Sequence, residues 1–208
     1  MMRPIPIYLA VEDELSEWVV RRVLEERWKE QRVKYAIGPV FRRGGFGYLR
    51  KNIGPFSNVA KGCPVLLLTD LDRYRCPPDL ITDWIAHPLH QNLLFRVAVR
   101  EVESWILGDG SGLSEFMRLK KAFLIPNPES LKNPKEELLK LALRCPMRQI
   151  RDALAWCENS TGRISQGPDY NGTLGRFVMN DWNISSARSK CHSLERLFAA
   201  LQSLEGRF

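Results

Sequence analysis

The stretch Pro64-Val65-Leu66-Leu67-Leu68-Thr69-Asp70-Leu71-Asp72 decides how the chain folds. Four consecutive apolar residues, entered through Gly62 and Pro64 and left through a polar segment rich in turn residues, read as a short strand buried on both faces. Such strands belong to parallel sheets. Asp70 and Asp72, one residue apart, project to the same side of an extended chain and come within reach of one cation. In open α/β sheets, ligands collect beyond the carboxyl ends of the strands.

Upstream, Ile5 to Val11 is apolar enough for a first strand and closes on Glu12-Asp13-Glu14. Trp18, Val19, Val23, Leu24 and Trp28 then recur at helical spacing between Ser16 and Arg32, and Val33 to Val40 reads as a second strand. A glycine-rich basic segment from Arg42 to Lys51 leads through a short helix to the central strand. Downstream, Pro77-Pro78-Asp79 opens a helix reaching about Ala86. Leu93 to Val99 forms another strand, and helical spacing resumes through Trp105, Ile106 and Leu107. Strands alternating with helices over short links imply an α/β fold built on a doubly wound, mainly parallel sheet. From Gly110 the texture is helical: Leu113 to Phe123, Pro134 to Leu143, Met147 to Trp156 and Ser193 to Leu204 carry apolar stripes, with a loop from Glu158 to Tyr170. The expected division is an α/β core over 1–109 and a helical C-terminal extension over 110–208, packed on the core.

A chain of 208 residues is long enough to bury a proper core. No apolar run approaches the roughly 18 residues of a membrane span, and no signal-type segment opens the sequence, so a cytoplasmic protein without a membrane partner is expected. The five cysteines are scattered, with no C-x-x-C pair, which suggests neither a disulfide framework nor a thiolate zinc site. His87 and His90, and His192 beside Cys191, lack the second recognisable pair that zinc requires. Net charge is +7, so the surface carries a field that attracts polyanions.

Inside this basic chain, acids gather at three strand ends: Glu12 to Glu14, Asp70 with Asp72, and Glu101 with Glu103. One acid at a strand end is most simply solvated or capping the next helix. Three such clusters point instead to a hard cation, with Glu12, Asp70 and Asp72 converging on Mg²⁺ or Mn²⁺ and Glu101 or Glu103 completing a second position. A metal pair activates water and stabilises the leaving oxygen of a broken phosphodiester.

Val11-Glu12 followed by Thr69-Asp70-Leu71-Asp72 resembles the Toprim domain of topoisomerases, primases and overcoming-lysogenisation-defect nucleases. The chain is more closely similar to small stand-alone bacterial Toprim-like proteins of a domain-of-unknown-function group. That likeness extends over Val97-Ala98-Val99-Arg100-Glu101-Val102-Glu103-Ser104-Trp105, Leu131-Lys132-Asn133-Pro134-Lys135-Glu136, Gly167-Pro168-Asp169-Tyr170-Asn171, and the later Trp182, Ala187 and Ser193-Leu194. The resemblance implies a metal site at Glu12, Asp70 and Asp72 without settling the reaction; with the acidic clusters in a basic chain we expect metal-dependent nuclease activity on DNA or RNA, and, because Toprim nucleases often work beside an ATPase in phage defence, an ATPase partner. Where many Toprim domains carry glycine after the first glutamate, this chain has Asp13. Two other readings stand beside the nuclease. One is a non-catalytic nucleic-acid-binding or ATPase-partner subunit that keeps the acids without turnover. The other is a receiver-like domain in which Glu12 and Asp13 bind Mg²⁺ and Asp70 accepts a phosphoryl group.

Arg42, Arg43, Arg50 and Lys51, set among glycines and aromatics, are candidates to grip nucleic-acid phosphates, as are Arg100, Lys132 and Lys135. Arg148 and Arg151 extend the basic set. Tyr170 is a candidate substrate contact, whereas Trp18, Trp28, Trp105 and Trp156 are expected in the core.

Overall fold

The computed structural model describes residues 3–158 and 160–208; Asn159, inside the loop expected over 158–170, lies outside the described residues. The elements run β1 (Ile5–Val11), α1 (Glu14–Gln31), β2 (Tyr35–Phe41), α2 (Gly45–Lys51), α3 (Ile53–Val59), β3 (Val65–Asp70), α4 (Pro77–Trp84) and β4 (Leu93–Ala98). They continue as α5 (Val102–Gly108), α6 (Gly110–Phe116), α7 (Pro134–Leu143), α8 (Arg148–Leu154), β5 (Ala155–Cys157), β6 (Ile164–Gln166), α9 (Tyr170–Asn180), α10 (Ile184–Arg188) and α11 (His192–Glu205). Contacts group residues up to Val99 with Ser193–Phe208, and Arg100–His192 separately. The chain therefore parts at Val99 rather than at residue 109, and its last helix joins the sheet.

In the first unit, four parallel strands lie in the order β2-β1-β3-β4. The chain winds outward from β1 to β2, then returns to place β3 on the other side of β1, so the sheet's topological switch point falls between β1 and β3. Each of the first five residues of β3 is buried, as expected for a strand covered on both faces. Val65 and Leu67, with Ala10, Leu93, Phe95 and Val97 of neighbouring strands, pack against Leu49, Phe56, Leu80 and Trp84 from the helices between β2 and β4. Alternation turns Leu66 and Leu68 to the opposite face. There α1 packs on β1 and β2. Helix α11 is anchored at both ends within this unit: the Val99 N–H donates to Ser193 Oγ at 3.1 Å, and Arg27 and Tyr35 donate to the Glu205 carboxylate.

The second unit is helical, with one short antiparallel hairpin, β5-β6. Trp105, Phe177 and Trp182 are buried within it. A Cβ added at Gly108 would meet the Ala187 Cα at 2.9 Å, so glycine there permits the close approach of α5 and α10.

Two expectations for this unit change. The helix expected from Leu113 to Phe123 stops at Phe116, where Arg118 adopts φ 53° and the Leu119 and Arg118 N–H groups donate to the Ser114 and Glu115 carbonyls. This is a Schellman termination without its usual glycine. The helix expected to reach Trp156 ends at Leu154, and Trp156 enters β5 and is exposed, as is Trp28 on α1. Two further helices, α9 and α10, fill residues 170–188.

Candidate functional site

The switch point places the first acidic cluster. Val11 pairs with Leu68 across β1 and β3, so Glu12 continues beside Thr69. The Glu12 Oε1 accepts the Thr69 hydroxyl and, at 2.9 Å, the Asp70 backbone N–H. Its Oε2 has no hydrogen bond among the described residues. One carboxylate oxygen is thus held while the other is open to a ligand or a proton.

Burial is the main force raising the Glu12 pKa above the usual carboxylate range. The Thr69 and Asp70 hydrogen bonds oppose it, and the negative charges of Asp72 and Asp13 reinforce it.

Asp72 reaches this neighbourhood by a route other than strand alternation. The strand ends at Asp70, the Leu71 N–H continues the ladder to the Ala98 carbonyl, and the chain then turns, with Asp72 at φ 49° and the Tyr74 N–H bonded to the Leu71 carbonyl. Aspartate tolerates this left-handed conformation better than most residues. Asp13 acts locally, since its side chain accepts the Ser16 N–H at 2.8 Å and caps α1.

Among the described residues no three His, Cys, Asp or Glu side chains form a ready-made metal cage. The donors at the switch point are nevertheless hard carboxylate oxygens crowded by like charge. Mg²⁺ characteristically uses one or two carboxylates and completes its shell with water and phosphate, and Glu12 with Asp72 or Asp70 fits that pattern. Of the histidines and cysteine weighed for zinc, the His90 ring accepts the Asn92 N–H, and Cys191 is buried with its thiol against the Ser104 carbonyl.

Glu101 and Glu103 belong to the helical unit, and each has partners there. Glu101 accepts the backbone N–H of Lys135 at 2.8 Å at the start of α7. Glu103 is buried, accepts the Tyr170 hydroxyl at 2.9 Å, and lies 3.4 Å from the Lys135 ammonium, which also sits over the Tyr170 ring. Burial raises the Glu103 pKa, and the Lys135 charge counteracts it. Tyr170 is accordingly a buried residue at the start of α9 rather than an exposed contact in a loop.

The basic candidates divide. Arg42 is paired with Glu14 and Glu17, Arg50 with Asp83, and Lys135 with Glu103. Arg148 and Arg151 both reach Asp152. Arg43, Lys51 and Lys132 are exposed with no ion-pair partner among the described residues. Arg100 adopts φ 65°, an uncommon conformation for a residue of its size. Thr69 joins the site although the acidic pattern alone does not mark it. Its signal in the chain is a hydroxyl placed one residue before the strand-end acid.

Among the described residues no helix is long and apolar enough to cross a membrane. Comparison with family models, curated proteins and solved structures finds no match to this chain.

Proposed function

We propose that the chain is a Toprim-like, metal-dependent nuclease that hydrolyses phosphodiesters of DNA or RNA at the carboxyl ends of β1 and β3. The observation that carries this reading is the Glu12 carboxylate at the switch point, with one oxygen anchored by Thr69 and Asp70 and the other open. Bound Mg²⁺ or Mn²⁺ would polarise the phosphodiester and lower the pKa of an attacking water.

The protein's own part follows from its geometry. Thr69 and the Asp70 N–H orient the Glu12 carboxylate, so its Oε2 can accept a proton without reorganisation. A carboxylate with a raised pKa is a better general base near neutral pH than an ordinary one. Asp70 and Asp72 supply the remaining negative charge that draws the cation. Exposed Arg43, Lys51 and Lys132 are left to meet backbone phosphates. The ATPase partner and a role in phage defence rest on the resemblance alone.

The lack of a three-carboxylate cage among the described residues favours a second reading, a nucleic-acid-binding or ATPase-partner subunit without turnover. The order β2-β1-β3-β4 is also shared by flavodoxin-like receivers, which keeps the phosphoacceptor reading in play. Plasmid nicking with Mn²⁺ separates them. The nuclease reading expects nicking that chelation stops and that falls at least about 100-fold in Glu12→Gln, the scale of a lost general base. DNA binding indifferent to metal, with no nicking, supports the binding subunit. Metal-dependent labelling of Asp70 by a small phosphodonor supports the receiver.

A further inference from the structure

The carboxyl rim of the sheet unit carries more than acids. Arg42, just past β2, pairs with Glu14 and Glu17 at the start of α1. Phe46 on α2 lies against Tyr74, in the turn after β3, with ring centroids 6.3 Å apart and planes 30° from parallel. Glu12 accepts the Asp70 N–H. The segments that follow β1, β2 and β3 are thereby tied together around the candidate metal position.

Tyr74 is held there from several sides. Its N–H donates to the Leu71 carbonyl at 3.0 Å, closing the turn that carries Asp72. Its hydroxyl donates to Asp83 on α4, which also accepts Arg50 at 3.0 Å. Phe46 stands edge-on to Trp84 with centroids 4.9 Å apart, and Trp84 is buried and stacked on Phe95 of β4. Core filling accounts for Trp84 and for Phe46 against it. It does not account for Tyr74, which is half-buried and has its hydroxyl fixed among exposed charged side chains. Arg73 beside Tyr74, and Arg43 three residues before Phe46, are exposed and have no ion-pair partner among the described residues.

We propose that Tyr74, backed by Phe46, is a stacking platform for an unpaired base, so that the nucleic acid acted on at this rim is single-stranded. The inference rests on the reading of the β1 and β3 ends as a phosphodiester site. A base offers its π-face to a protein ring only where it is not stacked within a duplex, and aromatic rings beside free cations are a common means of holding a single strand. A ring already fixed by Phe46 and Asp83 loses little freedom when a base joins it. Asp72 precedes Tyr74 by two residues, so the stacked base belongs to a nucleotide beside the proposed cation, and Arg43 and Arg73 are free for its phosphates. Negative supercoiling helps to unpair a plasmid, so nicking reports on such a site as well.

The test is equilibrium binding of the full chain, in chelator so that no strand is cut, to a short fluorescent oligonucleotide offered as a single strand and as a blunt duplex of the same sequence. Wild type should bind the single strand about tenfold or more tightly than the duplex, and Tyr74→Leu should weaken single-strand binding roughly 5–150-fold, the scale of one lost base stack. Duplex affinity should be the same in Tyr74→Leu as in wild type, which also shows that this variant is folded. Tyr74→Phe keeps the ring while releasing Asp83, and should retain the single-strand preference. A 2-aminopurine placed in the strand should be quenched on binding to wild type and Tyr74→Phe but not to Tyr74→Leu, a stacking signature that lost charge alone does not move. Equal or tighter duplex binding by wild type, no binding of the single strand, or a preference that survives in Tyr74→Leu would overturn the proposal. Plasmid nicking alongside any of these keeps the nuclease and removes the platform, whereas Tyr74-dependent strand binding without nicking does the reverse.

Discussion

At the scale of single residues, Glu12 ties the sheet to the proposed chemistry. Glutamine at position 12 retains an oxygen that can accept from Thr69 and Asp70, so Glu12→Gln should remove charge while keeping the local hydrogen bonds. Because burial and two acidic neighbours raise the Glu12 pKa, the folded state binds a proton more readily than the unfolded one. The stability this confers is present below the unfolded carboxylate pKa and is lost as pH rises through the folded value. The Glu12→Gln protein should therefore gain stability over wild type as pH rises, a trend that denaturant titrations at several pH values can follow. Thr69→Val removes a hydrogen bond that favours the ionised form, so the acid limb of the activity profile should move to higher pH. An unmoved limb would show that Thr69 does not tune Glu12. In the helical unit, Lys135→Met strips the buried Glu103 of its cation. A loss of about 1–3 kcal/mol is expected, the cost of leaving a buried polar partner unmatched. It should be largest at high pH, where Glu103 is pressed to ionise.

At the scale of elements, the cap of α1 shows why the residue after Glu12 is aspartate here. Asp13→Ala should cost about 1 kcal/mol through loss of the Ser16 cap. For a chain of this size that corresponds to roughly 2–4 °C in melting temperature. The parallel strands were legible in the sequence because burial on both faces leaves an unbroken apolar run, as in Val65 to Leu68. That Glu12 meets the end of β3 follows from residues after neighbouring parallel strands ending on one rim, but the contact made there is with the Thr69 hydroxyl and the Asp70 backbone N–H. Asp72 comes near Glu12 for a reason the spacing does not carry: a left-handed turn brings it there, not the two-residue period of a strand. Other features left no local signal. Helix α6 is stopped by a left-handed Arg118 where glycine usually marks the end. Helix α9 carries Gly172 and Gly175 within a short span, which masks a helix made by packing Tyr170, Leu174 and Phe177 into the core. Lys135 could not be assigned to Glu103 from spacing, because their contact joins residues on two separate helices.

At the scale of the whole chain, the C-terminal helix closes the unit that the first strand opens. Arg27 lies 2.5 Å from Glu205 with both side chains more than nine-tenths buried, and Tyr35 donates to the same carboxylate. Glu205→Ala should destabilise the sheet unit by about 3–5 kcal/mol, since it strands a buried arginine. By the same logic a fragment ending at residue 109 should fail to unfold cooperatively in calorimetry. A chain joining residues 1–99 to 193–208 through a flexible linker should regain a sharp transition. A cooperative 1–109 fragment would show that α11 is dispensable to the sheet.

The central claim is that the acids at the ends of β1 and β3 share a divalent cation, and titration with Mn²⁺ followed by electron paramagnetic resonance tests it most directly. The account predicts that wild type depletes the free Mn²⁺ signal with saturation, and that Glu12→Gln and Asp70→Asn each weaken this binding at least tenfold. Binding unchanged in both variants, or absent from wild type, would contradict it.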